Sequence, residues 1–261
     1  MLLHRVLSAL VLIPLVAVLA YLGGYWWLAT VGLVGALASG ELFRLLRQGG
    51  YRPHLGIGIL WTLALIACGF WPQTLLPGIV LGSGLILTLI LALFQADGQP
   101  ATDWAWTAAG AVYIGGLLAP FVALRMRPDG LRWIALALLL TWLTDTGAYF
   151  VGLSFGRHKL APRLSPKKTW EGAIGGWIIG VIGGTALGMG IVGLPLLPAL
   201  LLAALLCFLA PLGDLAESMI KRQVGVKDSS RLIPGHGGVL DRLDSLLFIV
   251  PVTYYASLLL G

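Results

Sequence analysis

Charge is what this sequence has least of. Charged residues fill 11% of its 261 positions and hydrophobic residues 58%, whereas a soluble domain carries about 25% charged residues. A surface so poor in charge would not stay dispersed in water, but it suits a bilayer. Cysteine is nearly absent. Cys68 and Cys207 both fall inside apolar runs, which argues against a disulfide framework or a thiolate metal site and for small buried thiols. The glycine signatures of soluble nucleotide-binding folds are missing as well: there is no GxxxxGK[ST] phosphate loop, and no GxGxxG follows a strand. No internal repeat is evident, and no segment reads as a separate soluble domain. The net charge of +6 comes from basic residues in loops between apolar runs. That placement points to anionic lipid or phosphate-bearing substrates and away from nucleic acid.

What is present is a series of apolar segments, at about 6–22, 25–43, 56–71, 75–94, 105–124, 132–152, 173–193, 196–213 and 240–260. A helix needs about 20 apolar residues to span a bilayer. The series predicts an all-α, polytopic membrane protein with about nine transmembrane helices and cytoplasmic active-site loops. Residues 1–130 form an N-terminal set of about five spans. Residues 131–261 form a C-terminal catalytic transmembrane region with polar loops at 153–171 and 214–240. The opening Met1-Leu2-Leu3-His4-Arg5 and its apolar run resemble a signal sequence. A second apolar run follows almost at once without a small-residue cleavage site, so a retained first span is expected. Gly172, Gly175, Gly176 and Gly180 suit close packing of membrane helices.

Basic residues are distributed unevenly. With nine spans, all but Arg125, Arg127 and Arg132 of the 17 fall on one side. The positive-inside rule puts that side, with the N-terminus and both long polar loops, in the cytoplasm. The cluster at 125–132 is the one dissent.

Acidic residues are scarce, so their positions carry information. Asp145 lies within an apolar segment, in Thr144-Asp145-Thr146-Gly147. A carboxylate at membrane depth is costly and usually faces a partner or a water-filled cavity. The next loop runs through Ser165-Pro166-Lys167-Lys168-Thr169 into Trp170-Glu171-Gly172. Lysines, hydroxyls and free amides ahead of a helix are what a polyphosphate requires, although the same residues would serve as a plain basic loop with an ordinary helix start. The densest stretch follows. If it is helical, Asp214, Glu217, Ser218 and Lys221 share one face. After Arg222 come Lys227-Asp228 and then Pro234-Gly235-His236-Gly237-Gly238, whose glycines let backbone approach a ligand. A second helix is expected to open at Asp241-Arg242-Leu243-Asp244-Ser245, with Asp241 and Asp244 on one face. Oxygen ligands without a His or Cys cluster point to Mg²⁺ rather than zinc. Asp214, Asp241 and Asp244 are the candidate ligands.

These residues resemble the phosphatidate cytidylyltransferase, or CDP-diacylglycerol synthase, family. The resemblance is carried by Ser218, Lys221, Arg222, Lys227, Asp228, Ser230, Pro234, Gly235, His236, Gly237, Gly238, Asp241, Arg242 and Asp244, and more weakly by Asp145 to Tyr149, by Ser165 to Gly172 and by Glu41-Leu42-Phe43. It covers residues 130–261 well, and the first half mainly in hydropathy. It implies CTP and phosphatidate as substrates, CDP-diacylglycerol and pyrophosphate as products, a multi-span fold and a homodimer. It also implies a divalent-metal site, two-metal or mixed divalent and monovalent, on the aspartates matching Asp214 and Asp241. A plasma-membrane enzyme of phospholipid biosynthesis, with its site towards the cytoplasm, is the expectation. Catalytic roles fall to Asp214, Ser218, Lys221, Arg222, Asp241 and Asp244. Substrate binding falls to Asp145, Ser165, Lys167, Lys168, Thr169, Lys227, Asp228, His236, Gly237, Gly238 and Arg242. Within that division, Lys167 and Lys168 take the CTP phosphates, while Lys221 and Arg222 lie nearer the metal. A CTP-dependent polyprenol or phytol kinase would transfer phosphate to an alcohol and would need a base. A transporter would spread ionisable groups along several spans, yet the first five are almost uncharged.

Overall fold

The computed structural model describes residues 14–230 and 237–261. After a helical stretch at 14–22, the helices are α1 (Gly24–Gln48), α2 (Leu55–Cys68), α3 (Leu76–Leu93), α4 (Pro100–Met126), α5 (Gly130–Phe155), α6 (Trp170–Val192), α7 (Leu196–Gln223) and α8 (Asp244–Leu260). Single π-turns interrupt α4 at Val112–Gly116 and close α6 at Gly188–Val192. Among the described residues, α1, α3, α4, α5, α6 and α7 are long and apolar enough to cross a membrane, and α2 and α8 are shorter apolar helices. The chain is an all-α, multi-pass membrane protein. Six such spans lie among the described residues, against nine expected. The first expected span, 6–22, lies partly outside the described residues. The 14 residues of α2 and the 17 of α8 rise only about 21 and 26 Å, short of a hydrocarbon core of about 30 Å.

The described residues divide into two compact units. One comprises residues up to Arg127 with those of Lys221–Leu243, and the other comprises Pro128–Ile220 with Asp244–Gly261. In the first unit, Trp27 anchors α1 to α4: its indole donates to the Phe121 carbonyl at 3.0 Å and its ring meets Phe121 edge-on. Gly115 lets the π-turn of α4 rest on the backbone of Thr62 in α2, where a Cβ would come within 2.7 Å of the Thr62 carbonyl oxygen. Arg125, one of the basic residues that break the charge asymmetry, donates to the carbonyls of Ala20 and Tyr21 at 2.5 and 2.8 Å. It caps carbonyls that the helical stretch at 14–22 leaves unsatisfied, a structural use for its charge.

In the second unit, glycines at every fourth position of α6 seat it against α5. A Cβ on Gly172 would meet the Ala148 carbonyl at 2.9 Å, and one on Gly176 would meet the Ala148 Cβ at 2.6 Å. With no side chains in the way, the backbones approach closely. Between α5 and α6 the expected irregular loop contains a small antiparallel hairpin, β1 (Lys159–Ala161) paired with β2 (Ser165–Thr169). Pro162 sits at the second position of its turn, where a preset φ is favoured, and the Leu164 amide donates to the Ala161 carbonyl at 3.1 Å.

Two boundaries differ from the sequence expectation. Helix α7 continues past the apolar segment to Gln223, because Ala216, Glu217, Met219, Lys221 and Arg222 are all good helix formers. The last helix opens at Asp244, not at Asp241, and a 3₁₀ turn occupies Leu240–Arg242. The Asp241 carboxylate accepts from the Gly238 amide at 2.8 Å, a local side-chain–backbone bond of the kind that competes with helix.

Candidate active site

In the second unit, α5, β2, α6 and α7 enclose a cavity of about 540 Å³. Its polar lining includes Thr144 and Asp145 from α5, Lys167, Lys168 and Thr169 from β2, and Asp214 from α7. Ala148, Tyr149, Leu153 and Pro211 are among the residues of its apolar wall. The placement follows from local structure. The pairing of β1 with β2 presents Lys167 and Lys168. Thr169 then caps α6, its hydroxyl accepting from the Gly172 amide at 3.2 Å. Glu171, in the first turn of α6, holds the approach to the hairpin: it accepts from the Arg157 amide at 3.1 Å and pairs with His158 Nδ1 at 2.5 Å.

Lys168 forms an ion pair with Asp214. The Ser218 hydroxyl donates to the other Asp214 oxygen at 3.3 Å, so the expected i, i+4 relation on α7 is present. Asp244, at the start of α8, lies within the fields of Asp214, Asp145 and Lys168. This unit therefore holds a Lys168–Asp214 ion pair, with Asp145 lining the same cavity. Ser165, at the far end of β2, is not among the residues lining the cavity.

The first unit holds a second cluster, built on Asp241. Lys221 Nζ lies 2.7 Å from Asp241 Oδ1. The other carboxylate oxygen accepts from the Ser229 hydroxyl at 2.8 Å, the Ser229 amide at 3.1 Å and the Gly238 amide at 2.8 Å. Burial pushes the Asp241 carboxyl up. The Lys221 hydrogen bond, the Gly238 amide, the Ser229 hydroxyl and the Lys221 charge outweigh burial and leave it below the usual carboxylate range. Gly237 has φ +80°, and a Cβ there would come within 2.7 Å of Asp241 Oδ2, so glycine is needed on both counts. Arg222 donates to the Val226 carbonyl at 3.0 Å. Lys227, Asp228 and Arg242 are exposed. Pro234, Gly235 and His236 lie outside the described residues.

One residue of this cluster was legible only as a weak echo. Glu41 of α1 is 3% exposed and accepts from Ser229, Ser230 and the amides of Val239 and Leu240. The signal was there, because a lone acid inside an apolar helix calls for the same explanation as Asp145.

Whether these residues suit a divalent cation turns on donor chemistry. Among the described residues no three His, Cys, Asp or Glu side chains are already arranged as a metal cage. Yet Asp214, with the Ser218 hydroxyl on it at 3.3 Å, and Asp244 offer oxygen donors, and donors of this kind suit a hard cation. Lys168 now supplies the positive charge at Asp214. The donor set fits a divalent ion.

Comparison with known proteins gives a consistent picture. The model of a family described as the cytidylyltransferase family matches residues 3–260. A phosphatidate cytidylyltransferase of Pseudomonas aeruginosa is 38% identical over 270 residues, covering 99% of this chain and 97% of that protein. One from Bacillus subtilis is 35% identical, covering 85% and 86%. One from Staphylococcus epidermidis is 37% identical, covering 75% and 76%.

Proposed function

The chain belongs to the cytidylyltransferase family, and on that footing we propose that it transfers the cytidylyl group of CTP to phosphatidate, releasing pyrophosphate and leaving CDP-diacylglycerol in the membrane. It is a nucleotidyltransferase of phospholipid synthesis. The observation that carries the reading is the cavity of the second unit, which joins Lys167, Lys168 and Asp214 to an apolar wall that includes Ala148, Tyr149 and Leu153. Phosphates and a lipid substrate need such a combination.

The reaction asks little covalent chemistry of the protein. A phosphate oxygen of phosphatidate is already anionic, so it attacks the α-phosphorus of CTP without a strong base. A new P–O bond forms as the bond to the bridging oxygen breaks, and the electron pair leaves with pyrophosphate. Catalysis is then positioning and charge neutralisation. Lys167 and Lys168 bind the CTP phosphates. Asp214 and Asp244, with Ser218 beside Asp214, hold a divalent cation, which we read as Mg²⁺. Asp241 is assigned to metal binding on its match to the family motif. A bound divalent ion supplies charge neutralisation at the phosphate under attack. Lys221 orients Asp241 through their ion pair, and Arg222, Lys227, Asp228, Gly237, Gly238 and Arg242 serve the substrates. His236 acts as a backbone organiser or phosphate contact. Asp145 closes the polar side of the cavity. With nine spans in all, the skew of basic residues supports placing the polar segments 153–171 and 214–240 in the cytoplasm of a bacterial inner membrane, where CTP is found. The protein works as a homodimer.

The test is incubation of purified protein with phosphatidate, Mg²⁺ and CTP labelled at the α-phosphate. Label should pass into the lipid extract as pyrophosphate appears, and excess EDTA should stop both. Formation of CDP with label left in the aqueous phase would overturn the reading.

A further inference from the structure

We propose that Glu41 is a positioning residue for the reaction. It acts through Asp241 and Lys221 by fixing the backbone that presents them, and this rests on the role assigned to Asp241 above. A carboxylate has about four lone-pair sites, and four donor groups surround Glu41. The Ser230 hydroxyl donates at 2.6 Å and the amides of Val239 and Leu240 at 3.1 and 2.8 Å, and the Ser229 hydroxyl lies within reach at 3.2 Å. All four donors come from residues 229–240, and all lie in the same unit as Glu41. Two precede and two follow Pro234 to His236, and the second pair leads directly into Asp241.

The arrangement is more than packing requires. Helix α1 would bury a leucine at this position at lower cost, since a buried charge must recover its hydration from its partners. What a carboxylate adds is a fixed acceptor for two separate stretches of backbone. The Ser229 hydroxyl has one proton and stands between two acceptors, Asp241 Oδ2 at 2.8 Å and Glu41 Oε2 at 3.2 Å. Holding Ser229 therefore aims the Asp241 carboxylate. Gly238 completes the fit, because a Cβ there would come within 2.5 Å of Glu41 Oε2. Lys221, paired with Asp241 at 2.7 Å, inherits the same registration.

Glu41→Gln replaces one acceptor oxygen with an NH₂ group that faces donors. Full-length protein in nanodiscs should show faster hydrogen exchange at Ser229, Gly238, Val239 and Leu240, without a change in α5 or α6. Its kcat should fall by at least about tenfold, while KM for CTP and for phosphatidate stays within about threefold, the pattern of a displaced catalytic group. Asp103→Asn is the control for mere loss of a buried carboxylate in the same unit. Asp103 is 2% exposed and accepts from the Arg52 amide at 2.6 Å and from Gln95 at 2.8 Å. That variant should keep kcat. If Glu41→Gln does not accumulate in the membrane, Ser230→Ala removes one of the four contacts and should lower kcat by about two- to fivefold. Unchanged kcat in the variant measured, or an equal loss in Asp103→Asn, overturns the proposal. So does a fall in kcat with exchange unaltered. Absence of CDP-lipid from the wild type would instead defeat the cytidylyl-transfer reading, and the exchange data, which need no substrate, would still decide whether Glu41 fixes the segment.

Discussion

The ammonium of Lys168, on the hairpin strand β2, rests on the carboxylate of Asp214, on helix α7. The pair joins two stretches that are 46 residues apart in the chain (214 less 168), and both side chains line one cavity. It gives a basic loop residue a defined acidic partner.

If Asp214 holds the divalent ion as proposed, Asp214→Asn should lower turnover by at least about 100-fold while the protein still inserts, because the lost carboxylate removes transition-state stabilisation of several kcal/mol. If Lys168 acts through Asp214, the effects will not add. The double variant Asp214→Asn, Lys168→Gln should be no slower than Asp214→Asn alone. Steady-state rates of the four proteins check this, and fully additive losses would separate the two roles.

The neighbouring lysine should behave differently. Lys167 is exposed and lines the cavity, whereas Lys168 is half-buried against Asp214. Lys167→Gln should raise KM for CTP by about three- to tenfold with kcat little changed, and Lys168→Gln should lower kcat as well. The check is kinetics with each substrate varied in turn. A CTP dependence unmoved in Lys167→Gln would leave that lysine only a role in topology or lipid attraction.

Asp241 predicts a pH dependence. Its carboxyl lies below the usual carboxylate range in the folded protein, so its ionised form favours the fold. That contribution is present above the unfolded pKa and is lost as pH falls through the folded one. Protection of the Ser229 and Gly238 amides should hold at neutral pH and decline only below the ordinary carboxylate range. Asp241→Asn should lower protection at neutral pH and remove its acid dependence. Hydrogen exchange against pH measures both, and protection that rises on acidification would reverse the assignment.

How much of this was legible in the sequence depends on which interaction holds each part. The apolar runs marked the helices because burial in lipid is a property of single segments. The helical face joining Asp214 to Ser218 followed from spacing alone. The pairing of Lys168 with Asp214, and of Glu41 with Ser229 and Ser230, did not, because each joins residues distant in the chain and local patterns carry no register between them. The hairpin at 159–169 was hidden for a related reason: its strands of three and five residues are too short for period-2 alternation to emerge beside Pro162 and Pro166. The late start of the last helix at Asp244 reflects a side chain spent on its own backbone, which propensity does not record.

The glycines of α6 divide by surroundings, and substitution should show it. Gly176 faces Ala148, where an added Cβ would come within 2.6 Å, whereas nothing lies within 4 Å of a Cβ on Gly190. Gly176→Val should cost about 1–3 kcal/mol or more through overpacking, and Gly190→Ala should be neutral or stabilising. Thermal unfolding in detergent distinguishes them. Equal tolerance at both sites would mean that α5 and α6 separate without cost.

The orientation of the polar segments is open to a direct chemical test. Cys68 and Cys207 are both buried, so their replacement by alanine should give a folded, cysteine-free background. Single cysteines then belong at exposed positions whose side chains make no described hydrogen bond or ion pair, and Lys159 and Lys227 qualify. Ser229 does not, because its hydroxyl is bound to Asp241 and lies within reach of Glu41, so a thiol there would disturb what it reports on. If the skew of basic residues sets topology, both cysteines should resist an impermeant thiol reagent applied to intact cells and react once the cells are opened. The charge of Arg125 does not weigh against this, since it is used on the carbonyls of Ala20 and Tyr21. Labelling of either site from outside would place that segment away from the cytoplasmic supply of CTP and overturn the orientation.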